Sequence, residues 1–229
     1  MEFLSSLFEP IVELFRILMG LFYNITALTG FPNYGIAIIL MTICLKACLY
    51  PLNKKQIKSM KAMQEIQPEL KKIQKNYKNN PQLMQQKMAE LYQESGVNPL
   101  AGCLPLLVQM PFLMGVYYSL YGFEYQGEPT FLWLSSLSDV DTTYILPLLS
   151  AITTFLTQKQ SMMNNGQENQ QMKMMMYIMP VFIGYISINF PSGLVLYWVV
   201  MNICQIVQQW YMFRNEDSGV SGKAKKGAA

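Results

Sequence analysis

The stretch NYGIAIILMTICLKACLYPL, residues 33–52, follows Pro32 and decides the fold. From Tyr34 it runs as about eighteen almost wholly apolar residues, long enough to cross a bilayer core as a helix. It carries one charge, Lys46. Read as one helix to Leu52, the stretch buries that lysine about 9 Å inside its membrane end, at about 1.5 Å per residue. An intramembrane charge costs about 2.5–3.5 kcal/mol on insertion scales. Two readings are open at this point. Lys46 snorkels, its stem in lipid and its amine among headgroups, or it faces a water-filled cavity inside a helical bundle.

Composition supports a bundle. Of the 229 residues 52% are hydrophobic and 14% charged, against about 25% charged in an ordinary soluble domain. This predicts an all-α polytopic membrane protein. There is no histidine, which removes Ser-His-Asp and Cys-His catalysis. No GxxxxGK(S/T) loop and no HExxH occurs. Cys44, Cys48, Cys103 and Cys204 all fall in apolar segments without a CxxC, so neither a disulfide framework nor a zinc site is expected. Cys44 and Cys48, four apart, read as small packing residues. No catalytic residue, metal or cofactor is expected, and the chain reads as a non-enzyme. MEFLSS has no basic region of a cleavable signal and no lipobox cysteine follows; whether this is the native start stays open.

Outward from the first span, residues 1–32 are read as an extracytoplasmic N-terminus. Within it, residues 3–28 form an amphipathic helix with Glu9, Glu13 and Arg16 on one side, a pattern suited to the membrane interface. Span 1 is 33–52. Residues 53–97 carry nine lysines and an apolar stripe at Ile57, Met60, Met63, Ile66, Leu70, Ile73 and Tyr77. Asn79-Asn80-Pro81 is a turn signal, and a second stripe follows at Met84, Met88 and Leu91. This reads as a cytoplasmic helical hairpin, bent at Pro68. Span 2 is 98–121, and 122–142 is an extracytoplasmic loop with Glu124, Glu128, Asp139 and Asp141 but no lysine or arginine. Span 3 is 143–158, followed by a cytoplasmic loop at 159–171. Span 4 is the methionine-rich 172–188, 189–193 an extracytoplasmic turn, span 5 is 194–213, and 214–229 a disordered basic cytoplasmic tail.

Fifteen of the 17 lysines and arginines then fall on one side, with only Arg16 opposite and Lys46 within the membrane. The positive-inside rule puts the hairpin and C-terminus in the cytoplasm and the N-terminus outside. Five spans fit that parity; residues 3–28 as a sixth span would reverse the N-terminus.

The proposed spans hold no acidic residue to neutralise Lys46, but several carry uncharged polar groups. Trp198, Asn202 and Gln205 share a face of span 5 at i, i+4, i+7. Thr154 and Gln158 share a face of span 3, with Thr157 beside them. Thr42 lies one turn from Lys46, and Gln109 sits mid-way along span 2. Each alone reads as an interhelical hydrogen-bonding residue. Together with Lys46 they outline a hydrated, positively polarised groove for acidic or polar polypeptide. A small-solute or anion transporter using Lys46 is the alternative, against which no inverted repeat is detectable.

GVNPLAGCLPLLVQMPF (96–112) and FPSGLVLYWVVMNICQIVQQW (190–210) resemble the second-span and last-span signatures of the YidC/Oxa/Alb membrane protein insertases. The order of elements over about residues 10–213 matches as well. The chain resembles the short, Gram-positive-type bacterial form, without the large periplasmic domain of other members. The resemblance implies an insertase and chaperone for newly made membrane proteins in the bacterial plasma membrane. Its partners would be nascent membrane proteins and the bilayer, with the Sec translocon and the ribosome as further candidates, and no small-molecule substrate. It also implies a groove cation at the position of Lys46. The family's usual residue there is arginine, so the charge is kept and the bidentate fork lost. Gln158 and Trp198 carry over as groove positions, with Thr157 an equal candidate for the first.

Overall fold

A computed structural model describes residues 2–98, 104–120, 123, 125, 127, 129–165 and 170–226. Among these residues the regular structure is helical: α1 (Glu2–Leu28), α2 (Tyr34–Cys48), α3 (Tyr50–Glu65), α4 (Gln67–Asn76), α5 (Pro81–Glu94), α6 (Leu104–Leu120), α7 (Ile145–Asn165), α8 (Gln170–Ser187) and α9 (Ser192–Lys226). Cys103, Glu124 and Glu128 lie outside the described residues, as do the side chains of Lys173, Met172 and Met175.

The first span is shorter than the apolar run suggests. Asn33 caps α2 through its side chain, which accepts from the Ile36 N–H at 3.1 Å. The helix stops at Cys48, and α3 begins at Tyr50 with a 59° bend. The physical reason is Pro51. It has no N–H to donate, and its ring collides with the carbonyl four residues back. Lys46 therefore lies in the last turn of α2, not a third of the way into a continuous helix. There the partial negative charge of the helix C-terminus favours a cation by about 0.3–1 kcal/mol. That offsets part of the insertion cost.

The lysine-rich insert makes three helices. A break at Ile66 precedes Pro68, which occupies the first turn of α4. The turn after α4 leads to Asn80, whose side chain caps α5 with Pro81 in its first turn. The stripes predicted from spacing meet in a small core of Met63, Ile66, Leu70, Leu91 and Val97, apart from the main one.

That main core lies where α1, α2, α6 and α9 converge beneath the 129–142 loop. Phe15, Met19, Ile38, Met41, Val116, Leu137 and Leu146 are each at most 2% exposed. Helix α7 packs along α8 and α9, α1 along α6 and α2, and α2 along α9. The loop straps the far end. Asn33 donates its side-chain amide to the Thr130 carbonyl at 3.0 Å. Ser192 donates its N–H and its hydroxyl to the Asp139 carbonyl at 2.7 and 2.6 Å. Gly193 donates to Leu137 at 2.8 Å.

Two further differences concern the ends. Helix α1 has three faces: Phe15, Met19 and Thr26 in the core, Leu14, Ile17, Leu21 and Ile25 exposed and apolar, and Glu9, Glu13 and Arg16 exposed and charged. Its Glu9–Leu28 portion is the described helix long and apolar enough by itself to cross a membrane. At the other end α9 continues to Lys226, where a disordered tail was expected from Arg214 onward. Residues 214–226 hold no proline, and an established helix propagates at one hydrogen bond per residue.

Candidate functional site

The predicted polar residues fall into two clusters on one side of α9, and a few lie apart. In the first cluster the Lys46 amine donates to Oε1 of Gln205 at 2.8 Å. Among the described residues no carboxylate pairs with it; the ion pair present is Lys87–Glu90, far along the insert. Lys46 is half-buried. The amide supplies a partial negative charge and leaves the cation's formal charge uncompensated.

The second cluster is one α9 turn further from the break. Oγ1 of Thr154 on α7 accepts from the Trp198 indole N–H at 3.0 Å and from the Asn202 amide at 3.0 Å. Asn202 also donates to Thr153 at 3.3 Å. The i, i+4 spacing of Trp198 and Asn202 thus converges on a single hydroxyl. Asn202 and Thr154 are buried, while Trp198 is half-exposed.

Gln109 donates to the Tyr197 hydroxyl at 3.1 Å, joining α6 to α9. Thr157 is half-buried and donates to the Thr153 carbonyl on its own helix. Gln158, also half-buried, takes part in neither cluster. Thr42 departs from expectation. It is 1% exposed, and its hydroxyl is spent on the Ile38 carbonyl at 2.6 Å. A threonine in a helix can always reach back to the preceding turn, and here packing against the core leaves it no other direction.

Sequence reading passed over Tyr197, Gln208, Asn53, Gln160, Ser161 and Gln209. Gln209 and Ser161 exchange hydrogen bonds across α9 and α7, the shorter 3.1 Å, and Gln160 donates to the Ile206 carbonyl at 3.2 Å. The signal was present: Gln205 and Gln208 are three apart and share a helix face. Toward the other end of α9, a crevice of about 70 Å³ separates α6 from α8, with α9 as its floor. Leu113, Ile183, Ile186, Leu194 and Val195 make it apolar, and Trp198 stands at its edge.

The family described as 60Kd inner membrane protein matches residues 24–219. The membrane protein insertase YidC of Clostridium perfringens is 43% identical over 220 residues, covering 91% of this chain and 92% of the relative. The chain belongs to the YidC insertase family. The membrane protein insertase MisCA of Bacillus subtilis is 46% identical over 188 residues, covering 80% of this chain and 71% of that one. Among solved structures, an active YidC insertase with its first transmembrane domain resolved superposes with a TM-score of 0.66 at 30% identity. The match covers 90% of this chain, which spans 46% of that longer one. In YidC terms, the two signature stretches that carried the resemblance supply Gln109 on α6 and Tyr197, Trp198, Asn202 and Gln205 on α9. Lys46 and Thr154 come from the elements packed against α9.

Proposed function

We propose that this membrane protein insertase works through a positively charged groove along α9, open to the cytoplasm and to lipid, with Lys46 as its cation. The observation that carries the reading is the Lys46–Gln205 pair: a charge in the bundle, held by an amide where a neutralising carboxylate would be expected.

In this reading α2, α6, α7, α8 and α9 are the five spans, and residues 53–97 are a cytoplasmic hairpin. The three-faced α1 lies in the outer interface, its charged stripe toward water and its apolar exposed face toward lipid. The distribution of lysine and arginine supports an outside N-terminus and a cytoplasmic C-terminus.

A nascent segment that is short, polar and often acidic approaches from the cytoplasm. Lys46 attracts it, and Gln205, Thr157, Gln158 and Gln109 replace part of its hydration, while the buried Thr154 and Asn202 hold α7 to α9. The low-dielectric path left to cross is then shorter. The substrate's apolar helix leaves between α6 and α8, past the crevice at Trp198. Burial in lipid at about 25 cal/mol per Å² drives that step. Exposed Met174, Tyr177, Ile178, Val181, Phe182 and Tyr185 line one side of α8, an adaptable surface for a sliding helix. No covalent step is involved, so the protein is not an enzyme in this scheme. The basic end of α9 supports contact with ribosomal phosphate, and action beside the Sec translocon is compatible with the same groove. The comparisons lend the solute-transport alternative no support.

The test is complementation. A bacterial insertase is depleted, the chain or a Lys46 variant is expressed, and insertion of a small single-spanning protein is followed by protease accessibility. Lys46→Glu is expected to lower insertion about tenfold or more, equivalent to about 1.4 kcal/mol. Lys46→Arg should retain it. Equal rescue by wild type, Lys46→Ala and Lys46→Glu would reduce Lys46 to a snorkelling residue.

A further inference from the structure

The break between α2 and α3 opens a backbone gap that the helices do not close by themselves. Because α2 ends at Cys48, the carbonyls of its last turn have no partner within the helix and need partners from elsewhere. The Lys46 carbonyl finds one on another helix: Gln208 of α9 donates its Nε2 to it at 3.0 Å. Oε1 of the same amide accepts from Nδ2 of Asn53 at 3.0 Å. Asn53 stands beyond the break, in the first turn of α3, and is 8% exposed. A backbone carbonyl can only accept, so the orientation of the Gln208 amide is determined, and Asn53 must be the donor in the second bond. One side chain therefore grips both sides of the joint. One α9 turn away, Gln205 holds the Lys46 amine at 2.8 Å.

We infer that Gln208 is a positioning residue that sets the angle of the α2–α3 joint, and with it the reach of the cytoplasmic helices over the groove. Residue 46 then has two separable roles. Its amine is the groove charge, and its carbonyl is the anchor of the joint. Both bonds of Gln208 are between neutral groups, so they orient the joint without locking it. Swinging α3 away breaks the Asn53 bond first, because Asn53 belongs to α3 while the Lys46 carbonyl belongs to α2, which packs along α9. The consequence for insertion rests on the groove reading above; the joint itself does not.

The experiment measures the joint directly. The purified chain in lipid nanodiscs, with Cys44, Cys48, Cys103 and Cys204 replaced by alanine, carries spin labels at Asn79→Cys and Ser135→Cys. Asn79 is exposed in the turn between α4 and α5, and Ser135 is exposed on the outer loop. The wild type should give one narrow distance distribution. Gln208→Met, close in shape but without hydrogen bonds, should broaden it. Asn53→Asp, which sets an acceptor against an acceptor, should broaden it as much, and the double variant no further. Lys46→Ala keeps the carbonyl and should stay narrow while insertion falls.

Equally narrow distributions in wild type and Gln208→Met would overturn the inference, since packing alone would then hold the joint. Equally broad ones would overturn it too. Should Gln208→Met fail to fold, Gln208→Asn, too short to reach both partners, takes its place with the same expected broadening. A wild type that is inactive in insertion yet shows the Gln208-dependent narrow distribution would sink the groove reading and leave the joint standing.

Discussion

The two ends of the bundle are closed by different chemistry. At the outer end the fastenings reach backbone: Ser192 and Gly193 onto Asp139 and Leu137, and Asn33 onto Thr130. They sit over packed aromatics, with Tyr23 stacked on Tyr34 at 4.0 Å and Tyr125 edge-on at 4.8 Å. At the inner end side-chain amides predominate: Gln205 on Lys46, Gln208 on Asn53, Gln209 on Ser161 and Gln160 on a carbonyl. Bonds between two side chains, as in Lys46–Gln205, Asn53–Gln208 and Ser161–Gln209, can be exchanged one for one with water or with the backbone of an incoming chain. A packed ring against a backbone strap cannot. The same helices thus end in two different kinds of fastening, and in the orientation proposed above the replaceable kind faces the cytoplasm.

Substitutions at the outer end test the seal most severely. A Cβ at Gly35 would run into the Phe131 ring. Gly35→Ala should therefore destabilise the fold by about 1–3 kcal/mol through overpacking, read as a lower melting temperature in detergent. An unchanged melt would mean the seal is slack and the contrast between the ends is overstated. Asp141 comes next. Its carboxylate accepts from the Thr143 N–H at 3.0 Å, the Thr143 hydroxyl at 2.6 Å and the Leu146 N–H at 2.7 Å. It thereby caps the start of α7. Asp141→Ala should cost about 1 kcal/mol by the usual scale of helix caps.

The same residue makes the outer end sensitive to acid. Burial pushes the Asp141 carboxyl up, but hydrogen bonds from the Thr143 hydroxyl, the Leu146 and Thr143 amides and the Trp133 side chain outweigh it. They hold the group below its ordinary value. A depressed folded pKa contributes stability above the unfolded value of about 3.9 and loses it as pH falls through the folded one. The wild-type melting temperature should drop below about pH 4, and Asp141→Asn should show a smaller drop. Equal acid sensitivity in both would assign the effect to other carboxylates.

Much of this contrast could be read from residue order. The lysine-rich insert with its matching stripes, the isolated Lys46 and the Trp198–Asn202 face follow from spacing and charge, while the two span signatures were legible through their resemblance to a family. Less legible were features in which one residue has two physical options. Leu49 reads as part of an apolar run until Pro51 is allowed to break it. The Thr42 hydroxyl chooses its own helix over the groove, a choice made by the packing around it. Gln208 and Gln209 are two adjacent amides among many, and only the approach of α2, α3 and α7 gives them different partners. On α1, charges at Glu9, Glu13 and Arg16 mark a polar stripe, but the division of its apolar residues between core and lipid depends on where α2 and α6 lie.

The smallest expected effect lies mid-way between the two ends, at Asn202 and Thr154. Both are buried, and Thr154 accepts from Asn202 and Trp198 at once. Interhelical bonds of this kind average about 0.6 kcal/mol in a membrane bundle. A double-mutant cycle of Asn202→Leu and Thr154→Val should give a coupling of that size, read from unfolding in mixed micelles. Trp198 keeps its ring packing in every corner of the cycle but loses its acceptor when Thr154 is replaced. Trp198 fluorescence should therefore shift with Thr154→Val and stay put with Asn202→Leu. A coupling near zero with both spectra unchanged would mean that water already competes at this depth. The solvable inner region would then reach past Thr154, and the boundary between the two ends would move outward by at least one turn of α9.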